Sequence, residues 1–506
     1  MATRFPRLGR FLPKLFAQNS RPAVLRAPGS QRAEGPASPP TAPTAGLLAI
    51  CGSFGRRCRD AAGHVLITPN YALFMGGSFL SAMGSWFLGV AIGWVVLEIT
   101  NSPFYLGVAG FARLMPVFFL GLFGGALSDR VDRRKMLLAG IGTNVVVVSA
   151  LAVLTVLGWN SLWLMLGLLL IFGVSNAFVQ PAWQPFIKEL VPADRLRDAV
   201  AFNSARFNVS RVLGPALAGV LLASVGAGIC LVIAAVGMAG VLVATWFIRR
   251  DPPANLGHDR ASRSMLGAIG EGFQYVRRDL FVGRLLLITG TFGLLVMPYQ
   301  SFMPAFARDI LGIGASGLGS LLAAVGVGAI AGALLSSTSF VSSRPGICMA
   351  VAALLTGVAL ASFATSPAVP NGLPWRAYLS LVFVGLGATG YLTTSNATLQ
   401  LRVPEHLVGR VMGLWVVMNA GMLPLGGLML GWASVRFGLP SVIFWCGLVG
   451  MGLGVLALVT RAFTGSRDTG EFSNAPPPAA SERGVDAAAE TNGEGRIQGK
   501  TRSVAA

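Results

Sequence analysis

The ionisable side chains set deepest in the apolar runs of this sequence are cations. Arg113 stands well inside one run, and Arg206 and Arg211 stand in the inner part of another, while the nearest acids, Glu98, Asp129 and Asp309, fall at run ends. A charge placed at membrane depth is costly and marks an ion or ligand site by default. An excess of such cations over acids favours anionic or neutral amphiphilic ligands over cations. Neutral polar groups accompany them. Asn208, Arg211, Pro215 and Gly219 recur at helical spacing and define one face, Thr393, Asn396 and Gln400 form a second stripe, and Asn176 and Asn419 stand in two further runs. The candidate cavity set is therefore Arg113, Asn176, Arg206, Asn208, Asn396, Gln400 and Asn419. The competing reading is interhelical hydrogen bonding without ligand contact.

Other chemistries find no support. The histidines His64, His258 and His406 are isolated in polar segments, and the cysteines Cys51, Cys58, Cys230, Cys348 and Cys446 are scattered, so neither a metal site nor a disulfide framework is expected. No cofactor is expected either. Gly495 to Thr501 superficially matches a phosphate loop, but Glu494 occupies the place of its first glycine and no strand precedes it. Gly326-Val-Gly328-Ala-Ile-Ala-Gly332 satisfies a dinucleotide pattern without a strand before it or an acid after it, and reads instead as a close helix-packing surface. An enzyme would need a convergent His, Cys or acid cluster, and none is visible.

The elements that hold these residues follow from composition. Hydrophobic residues make up 54% of the 506 and charged residues only 12%, against about 25% charged in a soluble globular protein. Twelve apolar runs, each near the roughly 20 residues that cross a hydrocarbon core, lie between 71 and 460. They must be helices, because an open strand in lipid leaves its backbone unsatisfied. The net charge of +19 does not indicate a nucleic-acid partner, because outside the tails the basic residues sit in short gaps between the runs. Arg130, Arg133, Arg134, Lys135, Lys188, Arg195, Arg197, Arg344, Arg402 and Arg410 share one side, and the connections at 98–103, 158–161 and 225–227 on the other side carry no Lys or Arg. The positive side is the cytoplasmic one, which places both termini there.

The expected organisation is an all-α integral membrane protein with a basic disordered tail (1–68), a six-helix bundle (69–248), a cytoplasmic linker (249–280), a second six-helix bundle (281–461) and a disordered tail (462–506). The first tail is basic enough to leave a targeting role open. A duplication underlies the two bundles. Gly121-Leu-Phe-Gly-Gly125-Ala-Leu recurs as Gly328-Ala-Ile-Ala-Gly332-Ala-Leu at an offset of 328 − 121 = 207, Glu98-Ile as Asp309-Ile at 309 − 98 = 211, and Val191-Pro192 as Val403-Pro404 at 403 − 191 = 212. Parallel duplicated bundles are one way to build a central cavity between halves that rock against each other.

Two motifs make the resemblance specific. Gly125-Ala-Leu-Ser-Asp129-Arg130-Val-Asp132-Arg133-Arg134-Lys135, between the second and third runs, resembles the G-x-x-x-D-R-x-G-R-R signature of the major facilitator superfamily at the same place in the topology. The resemblance implies that Gly125, Asp129, Arg130, Arg133 and Arg134 form a conformational latch, with Gly125 allowing close helix contact and Asp129 accepting charge-assisted hydrogen bonds. Asp132 departs from the usual Gly and adds a possible ion pair. The second motif, containing Arg211, Gly214, Pro215 and Gly219, resembles the exporter branch that includes enterobactin and macrolide efflux proteins. It implies secondary active export of a small amphiphile by alternating access, from a multi-pass monomer in the plasma membrane, with the lipid bilayer, the cargo and protons as partners. The family's usual buried Arg motif is absent from Leu162 to Val179, leaving Arg113, or Glu98 and Asp309, as groups for proton coupling. The alternative from another class is a non-transporting membrane sensor.

Overall fold

The computed structural model describes residues 68–459 apart from 129, 249–264, 337, 339–340, 342 and 367–373. It is all-helical, with no strand among the described residues. The helices are α1 (Pro69–Thr100), α2 (Pro103–Ser128), α3 (Arg133–Val156), α4 (Leu162–Glu189), α5 (Leu196–Phe247), α6 (Met265–Arg278), α7 (Leu280–Ile310), α8 (Gly314–Ser336), α9 (Pro345–Ala364), α10 (Trp375–Arg402), α11 (Leu407–Phe437) and α12 (Leu439–Val459). All but α6 belong to the 11 helices that are long and apolar enough to cross a membrane.

Helix α5 is the exception in length. Its 52 residues would extend about 78 Å at 1.5 Å per residue, more than twice a hydrocarbon core of about 30 Å. The chain breaks at Gly226, whose φ of 78° and ψ of 171° are open to glycine alone. Each limb is then of ordinary spanning length. Helix α7 departs differently. Pro298 and Pro304 lack the N–H that an α-helical ladder needs, and the pitch changes through π turns at Phe292–Val296 and Phe306–Ile310.

The first half packs α1 against α5, α2 against α4 and α3 against both α4 and α5; the second packs α9 against α12, and α10 against α8 and α9. Close packing rests on glycines facing carbonyls. A Cβ on Gly173 of α4 would sit 2.6 Å from the Arg113 carbonyl oxygen of α2, and one on Gly385 of α10 would meet the Val325 carbonyl of α8. These contacts are equivalent, since 385 − 173 and 325 − 113 both equal 212. The halves touch through the same register. Gly219 of α5 lies against the backbone of Gly319 in α8, while Gly107 of α2 faces the Gly427 carbonyl and Gly431 of α11 lies against Phe104. Here 319 − 107 and 431 − 219 again equal 212, so glycines at equivalent positions of the two halves make these contacts.

The glycine string at offset 207 is not part of that register. Gly328 and Gly332 pack on the Val382 and Leu386 carbonyls of α10, as their spacing predicts, but a Cβ at Gly121 or Gly125 would meet no described atom within 4 Å. On α2 it is Gly124 that lies against the Ala177 carbonyl of α4. The close approach expected of Gly125 therefore falls one residue earlier, because a step of one along a helix rotates the Cβ by about 100° away from its neighbour.

Candidate functional site

A cavity of about 780 Å³ lies between the halves. At one end, the end of Asn101, Gly226 and Gly312, it is floored by Met303, Pro304 and Leu318, all buried, behind the glycine contacts just described. At the other end, which carries the arginine clusters, Gln184 and Ser204 line it and are exposed. The cavity is thus sealed at one face and reaches solvent at the basic face. Across the sealed end Arg308 Nη1 of α7 donates to the Leu97 carbonyl of α1 at 3.0 Å, while its own carboxylate neighbour, Asp309, holds Nε at 2.5 Å. The cation meets a C-terminal carbonyl of α1, where the helix dipole favours positive charge.

The polar wall comes mostly from α1, α4 and α5, with Asn144 of α3 and Gln300 and Ser301 of α7 completing it. Arg113 of α2 reaches through it: Nη2 donates to the Ser85 carbonyl at 3.1 Å, and the guanidinium lies 5.5 Å from the Phe172 ring centroid. Gly89 makes room for it, since a Cβ there would stand 2.8 Å from Arg113 Nη1. Arg206 is held more completely, by the Ser78 carbonyl at 2.7 Å from Nη1 and by Asn203 Oδ1 at 3.1 Å from Nη2. Asn176 also lines the cavity, with Nδ2 bonded to the Phe172 carbonyl at 2.8 Å. Arg113 and Arg206 are the charged groups of the lining, which contains no Asp or Glu among the described residues.

Three of the expected cavity residues stand elsewhere. Asn396 and Gln400 bond to one another, Gln400 Nε2 to Asn396 Oδ1 at 2.7 Å, on a face of α10 outside the lining. Asn419 sits in the π turn Val417–Gly421, also outside it, with its carbonyl 2.7 Å from where a Gly293 Cβ would be. The polarity of Asn396 and Gln400 is spent within their own helix. The Asn208 side chain lies outside the described residues.

Sequence reasoning missed much of the wall. Ser78, Ser81, Ser85, Gly89 and Gly93 line the cavity from α1, and Gln180 and Gln184 join the expected Asn176 on α4. The signal was present: both sets recur at three- and four-residue steps along otherwise apolar helices. Trp86 and Trp183 add aromatic surface.

The motif residues are placed as follows. Asp129 lies outside the described residues. Arg130 is exposed, Asp132 caps α3 by accepting from Arg134 N at 2.9 Å, and Arg133 Nη1 pairs with Glu189 Oε1 at 2.6 Å. Arg134 donates to the Thr245 and Trp246 carbonyls at 3.1 and 2.6 Å, capping the C-terminal end of α5. In the second motif, Pro215 lines the cavity, Gly214 lies against the Trp86 side chain and Gly219 touches Gly319, while Arg211 stands outside the lining near the Tyr299 phenol. Three of these four residues thus serve packing and the cavity wall.

Spanning helices in duplicated register around a cavity sealed at one face define a membrane transporter of major facilitator type. Solved structures with this fold include a nucleoside transporter, at TM-score 0.60 and 13% identity over 78% of this chain and 100% of that one. A bacterial homologue of the human lysosomal transporter Spinster, in an inward-facing unoccupied conformation, matches at TM-score 0.60 and 18% identity, over 78% and 98% of the two chains. The chain belongs to the transmembrane secretion effector family, whose model matches residues 67–482. Curated relatives include the staphyloferrin A transporter of Staphylococcus aureus, 25% identical over 72% of this chain and 90% of that protein. The enterobactin exporter of Escherichia coli is 28% identical over 72% and 85%. The family and these relatives are membrane transporters, not enzymes.

Proposed function

We propose that the protein is a secondary active exporter of a small amphiphile, of which siderophores and macrolides are the first classes to test, working by alternating access in the plasma membrane. The observation that carries this reading is the cavity sealed at one face and reaching solvent at the other, between halves that meet through glycine contacts in a shared register. Broken at Gly226, α5 supplies two crossings, giving twelve in two six-helix bundles at 69–248 and 281–461. The arginine-rich face is the cytoplasmic one, holding both termini and the 249–280 linker, so this conformation opens inward. Asp129, with Gly125, Arg130, Arg133 and Arg134, closes that face in the opposite conformation. The protein acts as a monomer in the bilayer. Protons are the co-substrate, and the carboxyls at the sealed end, Glu98 and Asp309, are the groups for them, since the described lining has none.

The test compares efflux and compound sensitivity for siderophores, macrolides and dyes in matched cells expressing the wild type, Asp129→Asn or no protein, at equal surface expression. Efflux by the wild type that falls at least tenfold in Asp129→Asn supports the reading. Absence of any efflux across the panel, or accumulation in place of efflux, overturns export and revives the sensor.

A further inference from the structure

The cavity is chemically one-sided. Of the five N–H groups on Arg113, one is placed, on the Ser85 carbonyl, and no carboxylate faces it among the described lining residues. Arg113 is half-buried and lines the cavity, so an anion entering it finds a charge-assisted donor for which no carboxylate of the described lining competes. Arg206 differs, because Asn203 and the Ser78 carbonyl already occupy its Nε, Nη1 and Nη2. Three buried polar atoms on the same cavity wall also lack partners: Ser78 Oγ, Asn144 Oδ1 and Ser210 Oγ, in residues 1%, 7% and 1% exposed. Trp86, Phe172 and Trp183 supply the apolar and aromatic surface beside them.

We propose that Arg113 is the anchor for an anionic group of the cargo, which is therefore an amphiphilic acid rather than a lipophilic cation. Gly89 is the positioning residue, because its missing side chain is what lets the guanidinium lie along α1. The assignment rests on the transport reading for its biological meaning, and is tested by binding alone.

Full-length protein in lipid nanodiscs is titrated with 1-pyrenebutyrate, its methyl ester and 1-pyrenebutylamine, with empty nanodiscs subtracted and energy transfer from tryptophan as the signal. The wild type is expected to bind the acid on the order of tenfold tighter than the ester, the scale of one charge-assisted hydrogen-bonded pair, and tighter still than the amine. Arg113→Gln should abolish that preference, Arg113→Lys should keep part of it, and Gly89→Ser should weaken it by displacing the guanidinium. Thermal unfolding of each variant shows whether it is folded, and Gly89→Ser together with Arg113→Lys keeps the test open if Arg113→Gln is not. A wild type without acid preference, including one that binds none of the probes, overturns the proposal, as does an Arg113→Gln variant that retains it. Efflux of the same probes from proteoliposomes is read separately. Acid preference in binding without movement sinks the transport reading and leaves the anchor, whereas movement of ester or amine without acid preference sinks the anchor and leaves transport.

Discussion

The two halves of the molecule reuse one set of contacts with different chemistry. In the first half Arg206 reaches the Ser78 carbonyl; at the positions 212 further on, Met418 lies against Gly290, with its sulfur 2.8 Å from where a Cβ would be. Arg113 corresponds to Val325, Asn176 to Ala388, Gln180 to Leu392 and Asn203 to Trp415 under the same shift. Glycines at the touching positions were kept in both copies, because any side chain there would enter a neighbouring backbone. Most of the cavity's polar groups were kept in one, the other supplying Gln300 and Ser301. Backbone approach is thus a demand of the fold that both copies must meet, and recognition a demand on the cavity that one wall can largely meet.

That contrast can be broken most forcefully at the glycines. Gly219→Val should force the sealed end apart and cut transport by more than tenfold, and Gly431→Val, at the equivalent position, should do the same, since overpacking of this kind costs about 1–3 kcal/mol. Solvent labelling of a cysteine at Ser301 would report the opening. A large effect at one position and none at the other would end the claim of equivalence.

Exchanging the differing residues tests the other side of the comparison. Val325→Arg places a cation at the α8 position equivalent to Arg113, with Ser301 at the position equivalent to the Gly89 that makes room for the guanidinium, and should destabilise by roughly 2 kcal/mol or more, read by thermal unfolding. Arg113→Val, the reverse change, should leave unfolding nearly unaltered and remove cargo binding. Equal destabilisation by both would make Arg113 a packing residue.

The arginines at the basic face should give smaller effects. Arg134→Ala loses two bonds to the end of α5 and should cost about 1–2 kcal/mol. Its functional neighbours rank below it. Arg402 and Asp279, 3.5 Å apart and 40% and 21% exposed, form an ion pair at the basic face of the second half, and Arg402→Ala should cost no more than about 0.5 kcal/mol in ion pairing, as long as packing on Phe281 is restored by Arg402→Met. A larger loss in the second half would reverse the expected order.

Smallest of all is a pH effect beside that pair. Burial, then the negative charge of Asp279, raises the Tyr275 phenol above its ordinary value, and the phenol donates to Asp279 Oδ2 at 3.4 Å. With the folded value raised, its contribution is complete below the unfolded value near 10 and is lost as pH rises through the folded one. Tyr275→Phe should therefore leave stability at pH 6–8 within a few tenths of a kcal/mol and flatten the alkaline limb of the unfolding profile.

Much of this architecture was legible in the residues themselves. Runs of about 20 apolar residues can only be helices in a membrane, and Arg130, Arg133 and Arg134 placed the basic end because charged side chains stay at the interface. The depth of Arg113, Arg206 and Arg211 in apolar runs marked three candidate cations, of which the first two line the cavity and Arg211 stands outside it. The offset of Val191-Pro192 to Val403-Pro404 already contained the register that the packing uses.

Which polar residues face the cavity was decided by tertiary structure alone. Asn176 and Asn396 look alike in sequence, each an amide in a helix near the middle of its half, yet one lines the cavity and the other bonds to Gln400 outside it. Helical periodicity says which residues share a face, but the direction of that face depends on how the helix is rotated against its neighbours. That rotation is set by contacts such as Gly173 on the Arg113 carbonyl and Gly219 on Gly319, which join residues far apart in the chain.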